Sequence, residues 1–260
     1  MERSLTYLEP PGPALRNLPA PPPYRLYSVY RRANAANLQR LLSTSPSPAA
    51  LWALDEPAPA LSAATIGQGP GTRFANLNRA LAACPPGPED WVVLCDDDFA
   101  FDRGRLDQAM ALAAAAGLDL AQPSHSPRSY LNWSVERHRL ASRVRLTRFA
   151  EQGPLLILSP HARERVLPLP EDMGMGMGWG IEARWAADRS LRIGILNAVM
   201  IRHLHPVAWD GNYDITAEIG RANELMVRSS WSSWEEMQKD LGRWWWWEAV
   251  PPWLEPGAQL

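Results

Sequence analysis

From Tyr24 onward, short runs of β-branched and aromatic residues alternate with longer stretches whose apolar positions recur at helical spacing. Tyr24 to Arg31 reads as a strand, Asn34 to Leu42 as a helix and Ala50 to Leu54 as a second strand. Gly67, Gly69 and Gly71 punctuate a loop, after which Thr72 or Asn76 can cap a helix that runs to Ala83. The prolines between Pro85 and Pro88 break the chain. Trp91 to Cys95 is a short apolar strand that stops at Asp96, Asp97 and Asp98. Asp102 is placed to cap a helix over Arg103 to Ala116, and Leu118 to Gln122 follows as a strand. Arg137 to Arg148 places further arginine and histidine side chains among apolar ones. Then come a strand at Leu155 to Leu158, a helix at Pro160 to Val166, a helix at Ile181 to Ala187, and a strand at Arg192 to Ile201 that leads to His203 and His205. From Ile215 the pattern predicts two amphipathic helices and a tryptophan-rich tail, and no long repeat runs through the chain. Strand–helix alternation of this kind predicts an α/β fold with a mainly parallel mixed sheet flanked by helices. The expected organisation is a proline-rich arm at 1–23, one Rossmann-like domain at 24–210 and a helical, tryptophan-rich extension at 211–260.

Composition narrows the function. Twenty-six Lys plus Arg against 28 Asp plus Glu leave a net charge of −2, without the basic excess of a protein that neutralises many phosphates, so nucleic acid is not an expected partner. Cys84 and Cys95 are the only cysteines and cannot form a dense disulfide framework. The start of the chain lacks the apolar core of a signal peptide. The longest apolar stretch, Ala109 to Leu120, is broken by Gly117 and Asp119 and falls short of the ~20 residues that span a bilayer. A cytoplasmic protein without a transmembrane segment is the expectation.

The candidate chemistry begins with Asp96-Asp97-Asp98. Three adjacent carboxylates at a strand end repel one another, and a divalent cation relieves that repulsion; Mg²⁺ or Mn²⁺ takes oxygen ligands and completes its shell with substrate phosphates. An acidic turn capping the next helix explains the same residues without a metal. Upstream, Gly67-Gln-Gly-Pro-Gly-Thr-Arg73-Phe-Ala-Asn76 puts a glycine loop and a basic helix start before the acidic strand.

This order resembles the nucleotide-sugar-dependent glycosyltransferases of the A type, over Tyr24 to Pro206. The resemblance implies a glycosyltransferase-A domain in which Arg73 and Asn76 border the donor nucleotide. Asp96 and Asp98 match the outer positions of the family's Asp-x-Asp motif. Asp98 is implied as a metal ligand, Asp96 as a contact to metal or ribose, and Asp97 as a further donor contact. Gly178-Trp179-Gly180-Ile181-Glu182 looks like the family's Gly-Trp-Gly-acidic segment: Trp179 and Gly180 then flank the donor, and Glu182 is the base for an inverting transfer. A glutamate in a first helical turn is also favoured by the helix dipole alone. At the end of Asn197-Ala-Val-Met-Ile-Arg-His203, His203 is implied as a third metal ligand, with His205 taking that role in a shifted register. Asn197 stands where relatives carry aspartate. Gln122-Pro123 and Phe149-Ala150-Glu151 are similar to a plant and bacterial branch of the family; Glu151 suits either a site or a plain strand-edge carboxylate.

The implied partners are Mn²⁺ or Mg²⁺, a nucleoside-diphosphate sugar with UDP as the first choice of carrier, and a glycan or small-molecule acceptor. Met173 to Gly180, where glycine alternates with methionine, suits a loop that closes over the sugar. Thirteen tryptophans crowd toward the C-terminus, where flat aromatic faces can stack on an acceptor. Strand-end carboxylates also serve nucleotidyltransferases and metal-dependent phosphate hydrolases, and a non-catalytic sugar-nucleotide binder would keep the same fold. There is no Walker loop.

Overall fold

A computed structural model describes residues 15, 17–45, 47–171, 173, 179–206 and 214–255. Most of the proline-rich arm and the Met/Gly loop at 174–178 lie outside the described residues. The strands are β1 (Tyr24–Tyr30), β2 (Ala49–Ala53), β3 (Thr65–Gln68), β4 (Trp91–Cys95), β5 (Phe99–Arg103), β6 (Leu120–His125), β7 (Ser142–Thr147), β8 (Leu155–Leu158), β9 (Ile193–His203) and β10 (Gly242–Trp245). The helices are α1 (Ala35–Ser43), α2 (Arg73–Ala83), α3 (Leu106–Ala115), α4 (Pro160–Val166), α5 (Ile181–Ala187), α6 (Ile215–Arg228) and α7 (Trp234–Met237).

One mixed sheet carries all ten strands in the order β10-β7-β9-β6-β8-β4-β1-β2-β3, with β5 attached to β9. β1, β2, β3, β4, β6, β9 and β10 run one way; β5, β7 and β8 run the other. The mainly parallel α/β architecture is therefore as expected. A central strand buried on both faces reads as continuous apolar sequence, and β4 shows how its two faces divide. Val93 and Cys95 join the core under α1 and α3, while Val92 and Leu94 join the core under α2, α4 and α5. A third, smaller core packs Met226, Trp231 and Met237 against Phe149, Ala183 and Ile195. Among the described residues no helix is long and apolar enough to cross a membrane.

The structure departs from the sequence pattern in three places. Asp102 does not cap α3, which starts at Leu106 after Arg105 without a side-chain cap. Phe99 to Arg103 is strand because it pairs with the end of β9, and Asp102 accepts a hydrogen bond from Ser126 Oγ at 2.6 Å. The glycine loop contributes β3, since Gly67 tolerates the indole of Trp52, which a Cβ there would meet at 2.4 Å. The tryptophan run is not wholly a tail beyond two helices: Trp244 and Trp245 end the edge strand β10, paired antiparallel with β7. Alternation along β10 buries Trp244, and just beyond the strand Trp246 and Trp247 are exposed.

Trp253 lies against this edge, 5% exposed, and its indole N–H donates to Ala116 O at 2.8 Å. Trp253→Ala should lower unfolding free energy by about 3–5 kcal/mol, as large-to-small core changes do. Trp247→Ser, at a ring 60% exposed, should change it by under about 0.5 kcal/mol. Urea denaturation of both variants checks this division of the tryptophans into core and surface.

Candidate functional site

β1, β4, β6 and β9 share a direction, so their carboxyl ends lie along one edge of the sheet, the edge where open α/β sheets bind ligands. The aspartate triplet leaves β4 there. Each aspartate meets a different partner. Arg73 Nε donates to Asp96 Oδ1 at 2.5 Å. The backbone N–H of Arg31 donates to Asp97 Oδ2 at 2.6 Å, and Asn37 Nδ2 donates to Asp97 O at 3.1 Å. Asp98 lies 3.2 Å from His203 Nε2. The last contact follows from register: Phe99 of β5 pairs with His203 of β9, and Leu204 N–H donates to Asp98 O at 2.8 Å. His203 is thereby brought into contact with the triplet.

Arg73 opens α2, whose N-cap Thr72 accepts from Ala75 N–H. Its guanidinium also donates to Gln152 Oε1, and to Gln152 O at 3.0 Å. Gly153 passes so close that a Cβ would lie 2.6 Å from Asp96 Oδ2. Gly69 and Gly71 adopt φ of +137° and +146°, conformations that only glycine takes up without strain. They let the loop fold onto Trp52, whose Nε1 donates to Gly69 O at 3.0 Å. Asn76, implied at the donor, is buried beneath this loop. Its Oδ1 accepts from Arg79 at 2.6 Å, and its Nδ2 has no partner among the described residues.

Burial raises the Asp96 carboxyl above its usual range against the opposing charge of Arg73, and pushes Asp97 up to about 7. Burial works the other way on the His203 imidazole, but the hydrogen bond and charge of Asp98 outweigh it, so the net shift is upward. Among the described residues no three His, Cys, Asp or Glu side chains converge as a ready metal cluster. The Asp98–His203 pair nevertheless fits a divalent ion. Two adjacent ligands at ~2.1 Å and a right angle stand about 3 Å apart, and Mg²⁺-type sites need only one or two protein carboxylates with phosphates and water. Asp96 is engaged by Arg73 instead.

Glu182 lies in the first turn of α5 and is 2% exposed. Its oxygens accept from Gly180 N–H at 2.9 Å and Gln152 N–H at 3.4 Å, so Gln152 links it to Arg73 and Asp96. Trp179 and Gly180 form the turn entering α5. Gly180 has φ +100°, and a Cβ there would lie 2.8 Å from the Cα of Ala222 in α6; helix packing alone demands the glycine. Asn197 staples β9 to β7 and the chain just before it: Nδ2 donates to Arg139 O and Ser142 Oγ at 3.1 Å, and Oδ1 accepts from Arg145 Nε at 3.3 Å. An aspartate in its place would have no N–H to donate. Sequence reasoning missed Gln152, whose only signal was a polar residue in the turn before an apolar strand.

No family model matches the chain, and no curated protein sequence does. Solved structures do match. S. aureus TarS 1–349 in complex with UDP-GlcNAc superposes with a TM-score of 0.51 at 11% identity, over 80% of this chain and 66% of that one. GalNAc-T7 with UDP, GalNAc and Mn²⁺ gives 0.51 at 9% identity, over 75% of this chain and 45% of that one. The shared architecture is the A-type glycosyltransferase fold. The chain spans about two thirds of the first of these structures and under half of the second. At such identities the likeness is one of fold.

Burial pushes the Glu182 carboxyl up to about 8 from an ordinary 4.5, against the pull of the backbone N–H groups that it accepts. A folded-state value above the unfolded one makes the contribution of Glu182 to stability greatest below pH 4.5 and lost as pH rises through 8. Wild-type stability in urea should therefore fall more between pH 5 and pH 9 than that of Glu182→Gln, which does not titrate. Parallel pH profiles for the two proteins would contradict this.

Proposed function

We propose that the chain is a metal-dependent glycosyltransferase that moves a sugar from a nucleoside diphosphate, UDP first, to a hydroxyl of a glycan or small-molecule acceptor. The observation that carries this reading is the Asp98–His203 pair at the carboxyl edge of an A-type glycosyltransferase sheet, with Arg73 beside it at a helix N-terminus. Two solved proteins of similar fold hold UDP-GlcNAc, or UDP with Mn²⁺, which supports the choice of donor and ion.

Asp98 and His203 would hold Mn²⁺ or Mg²⁺, with Asp96 close enough to act on His203 through its charge. When bound, the ion stabilises the negative charge that develops on the departing diphosphate. Arg73, fixed by Asp96 and Gln152, adds positive charge at the start of α2, where the helix dipole also favours an anion. Asn76, Trp179 and Gly180 complete the donor side. Asp97 holds the end of β1 and the start of α1 against the triplet through Arg31 and Asn37. Glu182 is the proposed base. A proton affinity near the working pH is what base catalysis favours, and burial brings the carboxyl to about 8. Attack then forms the bond from acceptor oxygen to anomeric carbon, breaks the bond to phosphate, and inverts the configuration.

Thermal shift against UDP, GDP, TDP and CDP, each with and without Mn²⁺, tests the reading. UDP should stabilise the protein only with Mn²⁺, by about 2.7 kcal/mol at one hundred times its Kd. Asp98→Ala should lose that shift, while Glu182→Gln keeps it and loses transfer. A phosphate hydrolase would instead release product at the same rate with or without acceptor.

A further inference from the structure

At the β10 edge of the sheet lies a basic pocket whose residues take no part in the transfer proposed above. It has a volume of about 430 Å³ and is lined by Ser134, Arg139, Arg145, Gln238, Lys239 and Asp240. Arg145 is its buried member, with a side chain 1% exposed. The guanidinium donates to Val135 O, to Arg137 O at 3.1 Å, to Asn197 Oδ1 at 3.3 Å and to Asp240 Oδ1 at 3.2 Å. A guanidinium has five N–H donors, so one N–H on Nη1 is left without an acceptor among the described residues. Arg243 of β10 stands directly opposite Arg145, where like charges repel. Asp240 answers both, since its Oδ2 accepts from Arg243 Nε at 2.8 Å and from Nη2 at 2.5 Å. Both oxygens of that carboxylate are thereby engaged.

The other two cations of the pocket have no such answer. Arg139 and Lys239 are exposed, and their side chains make no hydrogen bond or ion pair among the described residues. Lys239 acts through its charge on Glu236, whose carboxylate is itself held by Ser232. Burial lowers the pKa of Arg145, Asp240 opposes that shift, and the charges of Arg139 and Arg243 add to it. Three cations and one carboxylate thus line the pocket, and the carboxylate is shared with a fourth cation. A phosphate group answers such an excess: arginine offers it a planar fork of donors and lysine a point charge, with the Ser134 hydroxyl and the Gln238 amide as further donors. A volume of about 430 Å³ is in the range of small-molecule sites and exceeds what a phosphate ion fills, so there is room for the group that carries it. The pocket is not the proposed diphosphate site. β7 stands four strand spacings from β4, roughly 19 Å at about 4.8 Å per spacing, and Arg145 pairs with Ile195 near the start of β9, whereas His203 ends that strand.

We infer that this pocket binds a phosphorylated small molecule through its phosphate group, held by Arg139, Lys239 and the spare N–H of Arg145. The inference does not depend on the glycosyltransferase reading. Calorimetric titration of the full chain without metal, using glucose 6-phosphate, ribose 5-phosphate, glycerol 3-phosphate and inorganic phosphate, tests it. At least one ester should bind with a Kd of about 0.1–1 mM, and inorganic phosphate at least about threefold more weakly. Arg139→Ala should weaken that ester about tenfold and Lys239→Gln about fivefold, while Lys239→Arg, which keeps the charge, stays within about twofold. Both residues are exposed, so these variants should keep the wild-type melting temperature. Asp98→Ala should leave the ester affinity unchanged, which separates this pocket from the proposed metal edge. Inorganic phosphate binding as tightly as every ester would overturn the small molecule as occupant in favour of the free ion. No binding of any phosphate up to about 10 mM, affinity unchanged in Arg139→Ala and Lys239→Gln, or affinity lost in Asp98→Ala would overturn the site itself.

Discussion

Three consecutive carboxylates cannot leave one strand end together unless each is answered. At an effective dielectric of ~20, two unit charges 4 Å apart repel by about 4 kcal/mol, a large share of the stability of a typical domain. The fold answers each aspartate separately: the guanidinium of Arg73 for Asp96, backbone and amide N–H groups for Asp97, the imidazole of His203 for Asp98. These partners come from α2, from the β1–α1 junction and from the end of β9. Because they converge on one strand end, the relative placement of four elements is fixed at the edge where a ligand would bind.

The same constraint accounts for features that look unrelated. β5 turns back immediately after the triplet and pairs with β9, which carries His203 to Asp98. Gly153 stays small because Asp96 lies against it. Gln152 is held by Arg73 on one side and supports Glu182 on the other, so the proposed nucleotide side and the proposed base belong to one hydrogen-bonded chain. Asn197 uses amide donors that a carboxylate lacks to hold β9 in place.

Much of this was readable in the sequence. Apolar strands with unambiguous ends, such as Leu155 to Leu158, and helices with a clear start, such as Ser159-Pro160 and Gly180-Ile181, coincide with the structure. The triplet was singled out from residue type and position, Arg73 and His203 from the resemblance to A-type glycosyltransferases, and the structure brings them together. What escaped was whatever depends on a partner distant in sequence. Phe99 to Arg103 carries no strand signal that outweighs a helix cap at Asp102; only pairing with β9 makes it a strand. Four adjacent tryptophans fit no helix face, and only pairing with β7 makes Trp244 and Trp245 part of an edge strand. Gln152 and Glu136 are ordinary polar residues until the fold buries them.

The central claim is that Asp98 and His203 form a metal edge that meets a nucleoside diphosphate, and that their direct contact is what the ion replaces. A crystal structure with UDP and Mn²⁺, read by the anomalous signal of manganese, tests it most directly. The account predicts one manganese peak bonded to an Asp98 carboxylate oxygen, to His203 Nε2 and to the diphosphate, with Arg73 still on Asp96. A nucleotide bound while the Asp98–His203 contact stays closed, or a manganese peak away from both residues, would contradict it.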